Sequence, residues 1–366
     1  MSKINATIVA DSVNEYGDRI TSYLLTYPRI IHSELMTHRM FSRNSASSRA
    51  IPFNKMVEAV DNSPFVPIAW QRGHSGMQGT QYLTAPIDLA FANDMWIEAK
   101  NKAVKSAKNL YKNGTDGVPF VTKQICNRLL EPFMWHTTLV TATEFENFFE
   151  LRCPQYWVGN PLMEAKNSWK DLVKEMHENG FDSEPSITTY DTLKRLQFNQ
   201  GQSEIHISLL AEAMWDVRNE SIPKKLKAGG WHIPFEDKID MTSTQADCFK
   251  HLDRALTNEE LSLAKVKLST AMCARTSYTL VGEEKEVKYE TLLGIHDKMV
   301  NAKPFHASPF EHCAKAMTES EHESFYSGEG ANERHVGRLE NHGWCRNFKG
   351  FIQYRHILEN GEGTSN

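Results

Sequence analysis

The sequence predicts a helix-rich protein of the α/β or α+β class. Several long stretches carry apolar residues at helical spacing, whereas short apolar runs of β type are few. Of the 366 residues, 40% are apolar and 24% are charged, which is ordinary for a globular chain. This length suits two or three domains, or one large domain with insertions.

Two strands come first in the chain, and most of the remaining pattern is helical. Strands are expected over residues 6–10 and 21–32, the second continuing into a short helix before Thr37. Helices are expected over residues 86–113, 120–130, 144–152, 162–178, 203–218, 257–274 and 289–301. The first of these helices has one apolar face, formed by Leu89, Met95, Trp96, Ala99, Ala103, Val104, Ala107, Leu110 and Tyr111. The sixth opens with a capping box, Thr257 to Glu260.

Three polar, irregular segments rich in Gly, Pro or charge separate these elements. They cover residues 153–200, 219–256 and 317–345. Because they lack apolar periodicity, we interpret them as insertions or surface elaborations of a single domain spanning residues 1–366.

Charge and cysteine usage narrow the classes of protein to consider. A net charge of -5 argues against bulk electrostatic binding to nucleic acid, although a local basic site for a small phosphate ligand stays open. The N-terminus has no apolar segment of signal-peptide type, and no run approaches a membrane span. The six scattered cysteines include no C-x-x-C pair, so we expect reduced thiols, mostly in the core, and a cytoplasmic location.

The run THRMFSRNSASSRAIP, Thr37 to Pro52, concentrates three arginines, a histidine and four serines. It shows neither strand alternation nor a helical stripe. Arginines supply two-pronged donors, and small serines let backbone N–H groups approach oxygen atoms, so the run suits anion binding. The alternative is a solvated turn between two elements.

Other polar residues have structural alternatives of similar weight. His306, Glu311 and His312 in HASPFEH have two ligand types for a metal, but the spacing is not H-E-x-x-H, and we predict no metal site. Arg152 ends a helix whose buried face carries three phenylalanines, and Arg128 ends another. A terminal arginine commonly stabilises the helix dipole.

Taken together, these pieces resemble the flavin-dependent thymidylate synthases, the ThyX family. The signature of that family is R-H-R, seven residues, then S-x-R. The residues here on signature positions are His38, Arg39, Ser42, Asn44, Ser47 and Arg49. Further resemblance lies in NFFELR (Asn147–Arg152), in GQSEI (Gly201–Ile205) and in the segment Arg128–Pro132.

Two more pieces match in a different order. HASPFEH, at residues 306–312, resembles the H-E-T-P-F-E-H run that the family carries upstream of R-H-R, and CARTSY, Cys273 to Tyr278, resembles its earlier A-R-V-S-F segment. The order is therefore circularly permuted, which suits a domain whose termini lie close together. The resemblance covers roughly residues 20–52, 120–155, 200–218 and 262–316.

The resemblance implies an α/β domain with a helical bundle and a small sheet, assembled as a homotetramer with sites between subunits. It implies FAD as cofactor, with NADPH and methylenetetrahydrofolate as co-substrates. The substrate would be dUMP, which receives a one-carbon unit while the flavin supplies a hydride. No protein cysteine attacks the uracil in that family.

Roles carry over by position from the resemblance. His38, Arg39, Met40, Asn44 and Asn147 would bind the flavin. Residues lining the FAD site would also include Ser277, His306, Ser308 and Glu311. The nucleotide would be held by Glu34, Ser47, Ser48, Arg49 and, from a neighbouring subunit, Arg128. Arg152 would contact the pyrimidine ring and stabilise charge developing there. Ser47 and Arg152 are thus the catalytic candidates; for Ser47 we favour hydrogen bonding over nucleophilic attack, because no base is visible beside it.

Departures from the signature leave the substrate open. Thr37 replaces the first arginine, Glu34 replaces a usual glutamine, and Ala50 replaces the closing tyrosine. A carboxylate accepts hydrogen bonds from a cytosine amine, so dCMP and a hydroxymethyl product remain alternatives. The segment Arg346–His356 has no counterpart, and Arg346 or Arg355 is a candidate replacement for the missing cation. Other classes are a non-catalytic flavin- or nucleotide-binding protein and a helical interaction module.

Overall fold

The computed structural model describes residues 4–75, 79, 81–161, 163–180, 192–240, 256–281, 287–325 and 342–360. The strands are β1 Asn5–Val13, β2 Arg19–Pro28, β3 Ser42–Ser45, β4 Trp135–Ala142, β5 Lys224–Lys225, β6 Trp231–His232, β7 Ala314–Ala316, β8 Trp344–Cys345, β9 Phe348–Lys349 and β10 Phe351–Gln353. The helices are α1 His32–Leu35, α2 Phe53–Asn62, α3 Pro86–Lys112, α4 Lys123–Arg128, α5 Glu146–Arg152, α6 Trp169–Glu178, α7 Thr192–Arg195, α8 Ile205–Glu220, α9 Asn258–Arg275, α10 Tyr289–Val300, α11 Glu319–Ser324 and α12 Tyr354–Glu359. The mixed helix-and-sheet class is as the sequence predicts.

A five-stranded sheet in the order β3-β4-β2-β1-β5 lies at the centre. β1 and β2 form an antiparallel hairpin, whose turn is closed by Asn14: its Oδ1 accepts hydrogen bonds from the backbone N–H groups of Tyr16 and Asp18. Gly17 occupies the left-handed region of this turn, with φ of 86°. β4 pairs along the whole length of β2, from Thr21 opposite Ala142 to Pro28 opposite Trp135.

Helices cover both faces of this sheet. Tyr23, Leu25 and Val140 pack into one apolar cluster with residues of α5 and α8. Leu24 and Leu139, which alternate with them along the strands, pack instead with Cys273 of α9. Since successive strand residues point to opposite faces, α9 and the pair α5–α8 lie on opposite sides of the sheet. The buried phenylalanine stripe predicted for α5 is confirmed.

Two strands correct the sequence-based prediction. The run from Thr37 to Pro52 is not irregular throughout, because β3 forms its middle and pairs with β4. β3 escaped notice because its four residues are all polar; Ser42 and Asn44 are nonetheless buried, where they contact polar partners. β4 was also missed, although its sequence WHTTLVTA is rich in the β-branched residues that favour strands.

The predicted helices are present with three corrections, whereas α2, α7, α11 and α12 were not predicted. The helix expected from residue 162 begins only at Trp169, because Ser168 caps it by accepting a hydrogen bond from the backbone N–H of Asp171. Met95 and Ala99, both assigned to the apolar face of α3, are exposed. The segment expected at 120–130 is helical only over Lys123–Arg128, because Pro132 limits its continuation. The Thr257–Glu260 capping box at the start of α9 is confirmed.

The polar segments contain more ordered structure than their composition suggests. In the described part of residues 153–200, Tyr156, Trp169 and Leu172 form a buried apolar cluster. A buried ion pair between Arg195 and Glu212 ties this segment to α8. Residues 219–256 contribute β5 and β6, and residues 317–345 contribute α11 and β8. Their status as insertions relative to the family stays a prediction.

The cysteines of the described residues lie in the core, as the sequence predicts. Five cysteines are free and buried: Cys126, Cys153, Cys273, Cys313 and Cys345. The sixth, Cys248, lies outside the described residues. Within the described ranges, no helix is long and apolar enough to cross a membrane.

Candidate functional site

Asn44 joins three segments that are far apart in the sequence. Its Oδ1 accepts hydrogen bonds from Ser277 Oγ at 3.2 Å and from Ser308 Oγ at 3.0 Å. Its Nδ2 donates to the backbone carbonyl of Cys273. Ser277 and Ser308 are 233 and 264 residues away along the chain. The runs THRMFSRNSASSRA, CARTSY and HASPFEH therefore meet at one buried side chain.

Backbone contacts strengthen this junction. The N–H of Ser47 donates to the carbonyl of Ser277 at 2.8 Å, and the N–H of Ala46 donates to that of Thr137 at 2.9 Å. Ser47 Oγ lies 3.3 Å from the N–H of Arg49, which donates to it. Within the described chain, no general base hydrogen-bonds to Ser47 Oγ, so the contacts here give no base for a nucleophilic role.

The C-terminal segment lies against the same run. Asn347 Nδ2 donates to the carbonyl of Met40 at 2.9 Å and to Ser42 Oγ at 3.1 Å. Gln353 Nε2 donates to Ser42 Oγ and to Asn347 Oδ1. The segment that had no counterpart in the resemblance thus holds the first half of β3 in place. Sequence spacing offered no signal for this, because the partners are about 300 residues apart.

The arginines of this C-terminal segment are engaged in ion pairs. Arg355 Nη1 contacts Glu311 Oε1 at 2.5 Å, and its Nε donates to Glu359 at 2.9 Å. Arg346 also pairs with Glu359. The Glu311 carboxylate, a predicted FAD-site residue, is therefore partly neutralised within the chain. The pKa of Arg355 is raised; burial opposes this, and the hydrogen bonds to the two glutamates outweigh it.

A second cluster of polar side chains consists of Glu34, His38 and Arg152. Arg152 Nη1 lies 3.3 Å from Glu34 Oε2, and Arg152 Nε donates to His38 Nε2 at 3.3 Å. Burial lowers the pKa of His38 to about 4, and the nearby positive charges of Arg152 and Arg43 contribute. His38 is therefore a neutral acceptor near pH 7, and its ring packs edge-on against Phe148 at 4.8 Å between centroids.

The Glu34 carboxylate lies in a locally acidic environment. Burial raises its pKa, Glu204 adds to the increase, and Arg152 opposes it. Glu204 belongs to the GQSEI run and caps α8, accepting hydrogen bonds from the backbone N–H groups of His206 and Ile207. The pieces that contain residues 34, 38, 152 and 204 therefore converge. Thr37 is exposed, and its hydroxyl donates to the Glu34 carbonyl at 2.7 Å.

Three of the arginines predicted to bind a ligand are exposed on the surface. Arg39, Arg49 and Arg128 are exposed, and no described residue forms an ion pair with their guanidinium groups. The segments of the last two touch: Asn127 Nδ2 donates to the carbonyls of Ser48 at 2.8 Å and Ile51 at 3.0 Å. Asn127 is fully buried, so the loop carrying Arg49 is fixed against α4, whose last residue is Arg128.

The remaining predicted cofactor residues divide into two groups. Asn147 and His306 are exposed, and their side chains have no partner among the described residues. Asn44 and Glu311 instead direct most of their hydrogen-bonding groups to the chain itself. The exposed side chains of Arg39, Asn147 and His306 offer a guanidinium, an amide and an imidazole. Such donors fit the anionic and amide-rich surface of a flavin dinucleotide.

Sequence reasoning missed a buried chain of polar side chains. Ser12, His232, Ser22, Thr141 and His312 are linked by consecutive hydrogen bonds of 2.9, 2.9, 2.6 and 2.9 Å. Burial lowers the pKa of both histidines to about 3. His312 had been weighed as a metal ligand, and its Nδ1 contacts Thr141 Oγ1 instead. The sequence signal was absent, because each contact depends on the pairing of distant strands.

The best-defined cavities lie apart from these residues. A cavity of about 120 Å³ is lined by Met56, Ala59, Asn62, Ser63, Met134, Trp135, Leu280 and Val281. A second lies between α2 and α3. Neither of these two cavities is lined by a predicted site residue.

Comparisons with known proteins do not show a family for this chain. No family model matches the chain, and no curated protein matches it. Solved structures that resemble it include two of the UMP/dUMP methylase PolB from Streptomyces cacaoi. The one bound with 5-Br dUMP is 13% identical at a TM-score of 0.35, and the match covers 55% of this chain and 66% of that chain. The one bound with 5-Br UMP is 14% identical at 0.37, covering 60% and 90%. At such low scores, neither likeness decides the fold or the activity.

Proposed function

We propose that this protein transfers a one-carbon unit from methylenetetrahydrofolate to C5 of dUMP, giving dTMP, with FAD as cofactor and NADPH as reductant. One observation carries the proposal: Asn44 accepts hydrogen bonds from Ser277 and Ser308. The three runs that carry the ThyX resemblance were matched separately and in permuted order. A shared site requires them to meet, and they meet at a side chain on a signature position.

The nucleotide is assigned to the exposed arginines. A phosphate monoester is doubly charged near neutral pH, and guanidinium groups bind its oxygens in two-pronged fashion. Arg49 is exposed and free of ion pairs with described residues, and Ser47 and Ser48 beside it are half-buried. Arg128 supplies a second cation, either from the same chain or from a neighbouring copy in the homotetramer that the resemblance implies.

The cofactor is assigned to the other end of the run. Arg39, Asn147 and His306 would hold the FAD, with Met40, Asn44, Ser277, Ser308 and Glu311 forming the wall behind it. A bound reduced flavin supplies the hydride that completes the methyl group. The chain supplies orientation and charge, and the neutral His38 adds no positive charge beside the guanidinium of Arg152.

Arg152 is assigned to the pyrimidine ring. Its Nη1 contacts Glu34 and its Nε contacts His38, so the guanidinium is held at a fixed position and about one quarter exposed. A fixed cation stabilises negative charge that develops on the pyrimidine carbonyl groups during transfer. Glu34 then acts as the positioning residue for Arg152.

The test uses spectroscopy of the protein reconstituted with FAD. The proposal predicts flavin absorbance bands that are bleached by NADPH under anaerobic conditions. Adding methylenetetrahydrofolate should restore the oxidised spectrum only when dUMP is present. A protein that takes up no FAD, or a reduced flavin that is indifferent to dUMP and folate together, contradicts the proposal. Flavin uptake without turnover would instead identify a non-catalytic flavin-binding protein.

A second candidate function uses dCMP as substrate, with a methyl or hydroxymethyl product. Glu34 favours it, because an ionised carboxylate accepts a hydrogen bond from the cytosine amine, whereas a carbonyl oxygen of uracil offers no donor at that position. Its contact with Arg152 keeps Glu34 at the assigned ring position. Titrating the reduced protein with dUMP and dCMP in parallel separates the two substrates. Replacing Glu34→Gln should shift the preference toward dUMP.

A further inference from the structure

The first half of α3 exposes a row of large apolar side chains. Ile87, Phe91 and Met95 are 79%, 66% and 45% exposed. They are four residues apart, so they lie on the same side of the helix. The opposite side of α3 packs into the cluster with α2 and α4, through Val104 and Ala107. Packing among the described residues therefore does not explain the exposed row.

Charge is divided sharply along the same helix. The charged residues of the first half are all acidic: Asp88, Asp94 and Glu98. The charged residues of the second half are all basic: Lys100, Lys102, Lys105, Lys108 and Lys112. An acidic first half and a basic second half suit the helix macrodipole. The division also leaves one long surface that is negative at one end and positive at the other.

Some of these charges are used within the chain and others are not. Asp61 of α2 pairs with both Lys100 and Lys108, and Glu98 pairs with Lys102. Asp94 and Lys105 are exposed, and neither forms an ion pair with a described residue. At 100° per residue, both lie on the side of the helix that carries Ile87 and Phe91. The free charges and the apolar row therefore share one face.

We propose that this face of α3 docks against the same face of a second copy of the chain, with the two helices antiparallel. In a two-fold contact, residue i of one copy meets residue j of the other, and j meets i. Asp94 and Lys105 lie at nearly equal distances on either side of the helix midpoint. An antiparallel pair therefore places each Asp94 opposite the Lys105 of the other copy, twice per dimer.

The same arrangement covers the apolar row. Ile87, Phe91 and Met95 of one copy face the lysine-rich half of the other. The aliphatic stems of lysine side chains cover apolar surface while their ammonium groups reach solvent. A parallel arrangement would instead place like charges opposite each other, which is unfavourable. At 1.5 Å per residue, the 27-residue helix is about 40 Å long, enough for an extended contact.

We infer a second copy of the chain as the partner on this face, because the two halves of α3 are complementary in charge. Each half of the helix is the electrostatic complement of the other half, and the two-fold operation brings those halves together. This inference is independent of the proposed enzymatic activity, since it concerns no residue of the candidate site. It predicts assembly even in a protein that binds neither flavin nor nucleotide.

Charge reversal tests the pairing directly. Asp94→Lys gives a copy with two lysines at the contact, and Lys105→Asp gives a copy with two aspartates. Measured by light scattering or sedimentation equilibrium, each variant alone should show half the molar mass of the wild-type assembly. Mixing the two variants should restore the wild-type mass, because both cross-pairs are attractive again. Phe91→Asp should also halve the mass, and mixing cannot rescue it.

Lys174→Asp on α6 provides the matched control, since Lys174 is 76% exposed and away from α3. It should leave the assembly unchanged. A wild-type monomer, or reversal variants that keep the wild-type mass, would overturn the proposal. Variants that lose mass but fail to reassemble on mixing would also overturn it, because that result would point to misfolding or to another contact. Far-UV circular dichroism of each variant checks that the helices are retained.

Discussion

The run from Thr37 to Pro52 contains two regions with opposite surroundings. Its middle, Ser42 to Ser45, lies in the sheet, and its buried Ser42 and Asn44 form hydrogen bonds with five distant residues. Its flanks carry Arg39 and Arg49, which are exposed and unpaired with described residues. The same polar composition thus serves two purposes. The inner region holds segments together, and the outer region offers charge to a ligand.

This difference in surroundings predicts whether a substitution changes stability or ligand binding. Inner residues should affect stability first, because an unsatisfied buried polar group costs about 1–3 kcal/mol. Outer residues should affect binding alone, since surface substitutions away from special contacts usually change stability by less than about 0.5 kcal/mol.

The buried hydrogen-bonded chain that contains His232 and His312 should lose stability in acid. His232 and His312 are buried and neutral, and their pKa values are lowered to about 3 in the folded protein. In the unfolded chain they bind protons below about pH 6.5, so the unfolded state binds more protons. The free energy of unfolding should therefore fall as the pH drops from about 6.5 toward 3. Each histidine contributes a slope of up to about 1.4 kcal/mol per pH unit.

Urea denaturation at a series of pH values measures this slope. His312→Asn should reduce it by about the share of one histidine, whereas the exposed His74→Gln should leave it unchanged. A free energy of unfolding that is the same at pH 7 and pH 5 would contradict the assignment of a neutral buried chain.

Replacing Asn44→Ala should destabilise the junction of the three runs. The hydroxyls of Ser277 and Ser308 and the carbonyl of Cys273 would lose their partner. The expected loss is about 2–4 kcal/mol in the free energy of unfolding, measured with denaturant. Asn147→Ala is the matched control, because its side chain is exposed and should give a loss below about 0.5 kcal/mol. Equal effects of the two variants would remove the distinction between inner and outer region.

Replacing Arg49→Ala should weaken binding without weakening the fold. Loss of a charge-assisted contact to a phosphate costs about 1–3 kcal/mol of binding free energy. Calorimetric titration with dUMP measures the change, and deoxyuridine, which lacks the phosphate, should bind weakly to both proteins. Arg72→Ala, another exposed arginine, serves as control. Unchanged dUMP affinity would exclude Arg49 from the phosphate site.

The smallest effect on stability is expected for the ion pair between Arg355 and Glu311. Arg355→Met removes the partner of Glu311, but both side chains are partly exposed, at 29% and 21%. Ion pairs of this kind contribute about 0–1 kcal/mol, so the free energy of unfolding should change by no more than that. A larger loss would show that Arg355, like Asn347 and Gln353, helps to hold the neighbouring segments in place.

Local features of the fold were predictable from the sequence. The capping box at Thr257 and the buried phenylalanines of α5 follow from short-range patterns, and both are confirmed. β3 was not predictable in the same way, because its polar residues become buried only when Ser277, Ser308 and Asn347 arrive from elsewhere. The start of α6 was misjudged for a simpler reason: the capping Ser168 outweighed the weak helical pattern before it.

The candidate site shows the same limit. Motif matching assigned Asn44, Ser277 and Ser308 to one predicted flavin site, and the three side chains are joined by hydrogen bonds. It did not supply the partners of Arg152, because the contact with Glu34 spans 118 residues, nor the in-chain engagement of Glu311 by Arg355. Those contacts depend on tertiary packing, which short patterns do not encode.

The most direct test of the central claim is identification of the product. Protein reconstituted with FAD should be incubated anaerobically with NADPH, methylenetetrahydrofolate and dUMP, and the nucleotides analysed by chromatography and mass spectrometry. The proposed activity should yield dTMP only when all components are present, and Arg152→Ala should abolish its formation. Unchanged dUMP, with dCMP also unconverted in a parallel reaction although FAD is bound, would contradict it.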